Sequence, residues 1–235
     1  MAANLLLSIL VCVLFNVNTS FAEVPAGAVY QDGGNSEYAL ILSHGVGQGP
    51  TALVVEPLRH AVHETLGWHT LSLSMPRQDD WSQFGRVFPQ AYDRIAEAID
   101  FLMRERGVRH VYLMGHSMGS RMSSAFLADN PDAPVRGLIV AGIRHDGGMP
   151  MNGRLNLERV ALPVLDIWGD DGGVDGRYAA ERRDLVSETY TQVPIPEANH
   201  SFERHETIFT ERVIEWLRGM SAGMMASSTP ESSQQ

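Results

Sequence analysis

Val111-Tyr112-Leu113-Met114-Gly115-His116-Ser117-Met118-Gly119-Ser120-Arg121-Met122-Ser123-Ser124 is the stretch on which the fold turns. Four residues with strand character run into G-x-S-x-G, and the pattern passes directly into a helical segment. A strand must bend abruptly into a helix here, which leaves Ser117 in a strained backbone conformation. Gly115 and Gly119, two positions to either side, let neighbouring chain pass close by. The serine hydroxyl then projects from the carboxyl edge of a sheet, where open α/β folds place their sites. The helix N-terminus beneath it favours developing negative charge. The plainer reading is an ordinary strand–turn–helix that contains glycines.

Outward from this bend, short apolar runs alternate with helix-period segments. Tyr38–Ser43, Trp68–Met75, Arg109–Met114, Val135–Ala141, Pro163–Trp168 and Thr189–Ile195 read as strands. Glu56–Leu66, Tyr92–Arg106, Ser120–Ala128, Arg177–Ser187 and Glu206–Arg218 read as helices, with Gly67, Gly107 and Gly219 as stops. A short helical pattern covers Leu155–Val160. Strand–helix alternation implies right-handed crossovers and a mainly parallel sheet covered on both faces, a three-layer α/β/α sandwich.

A serine hydroxyl attacks poorly at neutral pH unless a base takes its proton. Of nine histidines, His200 stands in a loop after the last strand and before the last helix, again at the carboxyl edge and after Ser117 in the chain. His200 is therefore the expected base and His205 the reserve; His116, beside Ser117, is too close in sequence to address its neighbour's hydroxyl. The base needs a carboxylate to fix its tautomer. Gly169-Asp170-Asp171-Gly172-Gly173-Val174-Asp175 offers three. Asp171 leads, Asp170 is second, and Asp175 is third because it lies further from the strand end; a glycine-rich turn of solvated aspartates is the bland alternative. An oxyanion requires two backbone donors. Met118, after the serine, supplies one amide. His44-Gly45-Val46-Gly47-Gln48-Gly49 leaves the first strand at its carboxyl end and should supply the other, from Val46 or, in reserve, Gly47.

The chain has 235 residues, 44% hydrophobic and 20% charged, which suits one globular domain and excludes a disordered or collagen-like chain. Its formal net charge of −10 argues against non-specific nucleic-acid binding. Cys12 is the single cysteine, so no intrachain disulfide framework or Cys-rich zinc module can form. Leu5–Phe15 is nearly all apolar but too short to span a membrane, and Ser20 and Ala22 follow as small residues, the pattern of a signal peptide cut after Ala22. The expectation is an exported chain, periplasmic or secreted, with no stable membrane span after cleavage. Residues 23–219 form the domain, and 220–235 read as a disordered tail.

His44-Gly45, the Gly115–Gly119 elbow, Trp168-Gly169-Asp170-Asp171 and Asn199-His200-Ser201-Phe202 together resemble the α/β-hydrolase superfamily, in the family's order and across about Tyr38 to Arg218. Gly67–Pro76 looks like a group of exported bacterial members of it. The resemblance implies that fold, a serine mechanism without metal or cofactor, and action on esters, thioesters or amides. In this chain Gly172 occupies the place where the family commonly has its acid, as G-x-x-D. The connection Gly142–Leu162 is too short for a large lid. Trp81, Phe84 and Phe88, in the loop Met75–Pro89, are the expected walls of an acyl pocket, unless they merely pin that loop to the core. The function expected is hydrolysis of a small-molecule ester through an acyl-enzyme on Ser117. A peptidase, an acyltransferase, or a non-catalytic binder that keeps the fold are the alternatives.

Overall fold

The computed structural model describes residues 23–227; the segment expected to be a signal peptide, 1–22, and residues 228–235 lie outside them. Seven strands form one sheet: β1 Val29–Gln31, β2 Tyr38–Ser43, β3 His69–Leu73, β4 His110–His116, β5 Val135–Ala141, β6 Val164–Asp170 and β7 Tyr190–Pro196. Their order is β1-β3-β2-β4-β5-β6-β7. Every neighbouring pair is parallel except the short β1 against β3. The chain winds outward from β2 to β3, then returns to place β4 on the other side of β2. The carboxyl ends of β2 and β4 therefore flank the point where the winding reverses, the place where such sheets open a crevice. Pro194 and Pro196 lie on β7, an edge strand, where a missing N–H costs no ladder bond.

The period of two along the strands sorts side chains to two faces. Ala39, Ile41, Leu113, Leu138 and Val140 face α2 (Phe88–Glu105) and α3 (Met118–Asp129). Leu40, Leu42, Tyr112, Met114, Ile139 and Ile167 face α1 (Val55–Leu66) and α6 (Glu206–Ser227). On α2, Phe88, Ala91, Ile95, Ala98, Ile99 and Leu102 are buried at the 3–4 spacing of one helical face. Between β5 and β6 stands only the short α4 (Gly153–Leu157), so no lid domain covers the carboxyl edge. No helix among the described residues is long and apolar enough to cross a membrane.

Several helix boundaries differ from the sequence reading. Gly67 does end α1: it takes φ 68°, and its N–H donates to the His63 carbonyl. Gly219 does not end α6, which continues to Ser227, so residues 220–227 are helical and not a disordered tail. A glycine stops a helix by adopting the left-handed conformation, and Gly219 is not among the glycines with positive φ; without that turn it costs α6 only about 1 kcal/mol of propensity. The last crossover helix is α5 (Val174–Glu181), which starts three residues before the predicted Arg177 and is followed by a 3₁₀ turn at Arg183–Leu185. That shift relocates Asp175 from a loop to a helix's first turn.

Candidate active site

Ser117 connects β4 to α3 with φ 56° and ψ −115°, a conformation that is costly for a residue with a Cβ. The surroundings hold it there. Its N–H donates to the Ala141 carbonyl at 2.8 Å. Ser120 Oγ donates to the Gly115 carbonyl at 2.6 Å and accepts from the Ala141 N–H at 3.1 Å, lacing the first turn of α3 to β4 and β5. Gly115 and Gly119 are demanded by contact: a Cβ on Gly115 would lie 2.4 Å from the Gly119 carbonyl carbon, and one on Gly119 2.1 Å from the Ser43 carbonyl oxygen.

His200 Nε2 lies 3.0 Å from Ser117 Oγ, and His200 Nδ1 lies 2.5 Å from Asp175 Oδ2. The structure thus brings together the expected serine and histidine with the third-ranked aspartate. Asp171 is exposed and takes the Gly173 N–H at 2.9 Å in a local turn, well short of the histidine. Asp170 is exposed at the end of β6, with its carbonyl accepting from Glu197 N–H. The physical reason is the helix boundary. β6 runs on to Asp170, and α5 begins at Val174, so its first turn carries Asp175 back over the sheet edge while Asp170 and Asp171 project into solvent. His205, the reserve, bonds the Glu203 carbonyl at 3.1 Å and has no contact with the pair.

Asp175 is buried, 5% exposed. Burial alone would raise its carboxyl, but the hydrogen bonds and charges of His200 and Arg144 outweigh it and hold the group below the ordinary carboxylate range. α5 is itself anchored from beneath. Arg182, just past its end, is wholly buried and forks onto Asp166 of β6 at 2.9 and 3.0 Å, while its Nη1 donates to the Ile143 and Tyr178 carbonyls. Tyr190 and Gln192 of β7 also donate to Asp166. A buried ion pair with this many partners fixes where the helix sits, whatever its net contribution to stability.

The His200 loop is shaped by close approach. A Cβ on Gly142 would lie 2.9 Å from the His200 ring, and one on Gly169 would strike the Asn199 carbonyl oxygen at 2.2 Å. Asn199 Oδ1 accepts from the Ser201 and Glu203 amides and closes the turn. His116, missed as a site residue because its ring cannot reach Ser117, lies beside the base: its ring centroid is 5.0 Å from that of His200, and its Nε2–H donates to the His200 carbonyl at 2.9 Å. Complete burial, then the neighbouring His200, push its pKa down to about 4. The sign follows from burial of the neutral form: nothing is lost above about pH 6.5, and stability falls as pH drops from there towards 4, because the unfolded chain takes up the proton first. The expected cost between about pH 7.5 and about pH 5 is about 2 kcal/mol. Urea unfolding of wild type and His116→Gln checks this; the variant should show a pH drop smaller by that amount, and equal drops would refute it.

On the other flank, His44 is fixed at both nitrogens, with Nδ1–H donating to the Gly45 carbonyl at 2.8 Å and Nε2 accepting from the Met75 N–H at 3.0 Å. Desolvation lowers its pKa, consistent with a neutral ring used as a bracket. The turn it holds, Gly45–Gln48, is closed by Gln48 N–H on the Gly45 carbonyl, and a Cβ on Gly45 would sit 3.1 Å from that of Ser117. Val46, Gly47 and Met118 line one cavity of about 90 Å³ together with Met75, Phe84 and Met122. Met118 opens α3, where helix amides have no intrahelical acceptor.

Of the three aromatics expected around an acyl group, only Phe84 lines this cavity. Phe88 is 1% exposed within the core because α2 starts at that residue, four earlier than its periodicity suggested, and turns the ring toward the sheet. Trp81 is 48% exposed and lies under the Arg121 guanidinium at 5.4 Å, pinning the 3₁₀ turn Trp81–Val87.

Residues 86–219 match the family model described as "Protein of unknown function (DUF3530)". No curated protein matches the sequence. Solved structures with the same fold include Est1E from Butyrivibrio proteoclasticus, at 18% identity over 83% of this chain and 94% of that one with a TM-score of 0.67. Dienelactone hydrolase from Anabaena variabilis, also 18% identical, is similar over 84% and 94% with a TM-score of 0.68. XC6422 from Xanthomonas campestris, described as an α/β serine hydrolase without lid, is 18% identical over 77% and 81% with a TM-score of 0.61. At such identities the likeness speaks for the fold alone. The family model spans more than half of the sequence, and the solved structures that share this mostly parallel seven-stranded architecture are hydrolases: the chain belongs to the DUF3530 family and has the α/β-hydrolase fold.

Proposed function

We propose that the protein is a serine hydrolase of short-chain carboxylic esters, acting through an acyl-enzyme on Ser117. The observation that carries this is the continuous chain from Ser117 Oγ through His200 to Asp175, at 3.0 and 2.5 Å, on a serine held at positive φ. His200 Nε2 takes the Ser117 proton as the oxygen attacks the carbonyl, while Asp175 keeps the opposite proton on Nδ1. The Met118 amide at the N-terminus of α3 and the Val46 amide receive the oxyanion. His200 then returns its proton to the leaving alcohol, and the same base activates the water that releases the acid. Structural neighbours described as a dienelactone hydrolase and as an α/β serine hydrolase without lid support the reaction class. A carboxylate beside the histidine favours this reading over a non-catalytic binder that keeps the fold.

The acyl group is assigned to the cavity lined by Met75, Phe84, Met118 and Met122. Its volume of about 90 Å³ falls well below that of pockets for drug-sized ligands, which suits a short chain. The test is hydrolysis of p-nitrophenyl esters over a range of acyl lengths. Wild type is expected to favour acetate to butyrate, Ser117→Ala to be inactive on all, and Phe84→Ala to shift the preference to longer chains. Equal turnover by Ser117→Ala would refute the mechanism, and an unchanged profile for Phe84→Ala would refute the pocket.

A further inference from the structure

We infer that Arg144 is a positioning residue that sets the pH range in which the Asp175–His200 pair works, an inference resting on the function proposed above. The Asp175 carboxylate has two oxygens and two uses. Oδ2 faces His200 Nδ1 at 2.5 Å, and Oδ1 accepts from Arg144 Nε at 2.9 Å. Arg144 stands two residues beyond Gly142, where an added Cβ would lie 2.9 Å from the His200 ring, so the segment after β5 bears on both members of the pair. Its guanidinium is 35% exposed while the carboxylate is 5% exposed: a solvated cation reaches in to a buried anion.

The groups around the pair leave Arg144 as the adjustable charge. From β4 comes His116, buried, with its Nε2 on the His200 carbonyl. From α5 comes Asp175 itself. From the segment after β5 come Arg144 and Asp146, and Asp146 is engaged by the buried Arg121 of α3. The ion pair has two consequences. It fixes the carboxylate's rotamer, so that Oδ2 meets the ring in line. It also offsets part of the carboxylate's charge, which weakens the pull on an imidazolium and keeps the base free of its proton to lower pH.

The experiment records kcat/KM against pH for wild type, Arg144→Gln and Arg144→Lys, together with the proton-uptake midpoint of the His200 ring by NMR, assigned with His200→Gln. In Arg144→Gln both the acidic limb and the ring midpoint are expected to move up by about one pH unit, an approximately tenfold loss on the acidic side, with the alkaline plateau retained. Arg144→Lys, which keeps the charge, is expected to restore both. A loss equal at every pH, or a ring midpoint that stays in place, overturns the inference. The two readouts separate it from the reading beneath it. A moved midpoint in a protein without Ser117-dependent hydrolysis would refute the esterase function and leave the coupling standing. Ser117-dependent hydrolysis with an unmoved limb would do the reverse.

Discussion

Asp175→Asn is expected to lower turnover on the order of 10⁴-fold with little change in folding, the size of effect seen when a triad acid is replaced by its amide. The amide can hold the ring in place, yet its NH₂ group or its carbonyl now selects the tautomer, and the negative charge that stabilises an imidazolium is gone. Asp171→Asn and Asp170→Asn, both exposed and away from His200, are expected to stay within a factor of about two of wild type. Steady-state kinetics on one short ester decides it. A large loss in Asp171→Asn, with Asp175→Asn near normal, would return the acid to the position that strand-end proximity favoured.

Gly119→Ala is expected to be the most damaging single methyl group in the molecule. The added carbon would lie 2.1 Å from the Ser43 carbonyl oxygen and 2.6 and 2.7 Å from the Ser43 carbonyl carbon and the His44 oxygen. All three are backbone atoms at the end of β2, so no side chain can swing aside. Relief requires α3 to lift or β2 to retreat, and either move separates Ser117 from the turn that holds Val46. A loss of more than about 3 kcal/mol, or failure to accumulate as folded protein, is expected. Gly219→Ala is the control: nothing lies within 4 Å of its added carbon, it stands within α6, and it should gain up to about 1 kcal/mol. Thermal unfolding of the two variants beside wild type checks both signs, and a Gly119→Ala protein as stable as wild type would mean that the elbow is not packed as described.

The contrast between these residues shows what the sequence could convey. Ser117, Gly115 and Gly119 were legible because one local event, a strand bending into a helix, constrains all three at fixed spacing. His200 was legible because the segment between the last strand and the last helix, at the carboxyl edge and after Ser117 in the chain, narrowed nine histidines to His200 and His205. The acid was not, because its identity depends on where α5 begins. Val174 has neither an N-capping side chain before it nor a strong apolar period after it, and Gly172 and Gly173 conceal the start. An acidic residue in a helix's first turn is a weak signal that could have raised Asp175. Phe88 was misplaced for the same reason, since Pro89 in the first turn of α2 marks a start four residues ahead of the visible periodicity. Arg144 and His116 act through contacts 31 and 84 residues away in the chain, and no local pattern reports such pairs.

The most direct trial is labelling of the purified protein with a fluorophosphonate, followed by peptide mass spectrometry to locate the adduct. The phosphonyl group should be found on Ser117 alone, in a protein that loses ester hydrolysis in step with labelling, and Ser117→Ala should remain unmodified. An adduct at another residue, or equal modification of wild type and Ser117→Ala, would contradict a nucleophile at the β4–α3 bend.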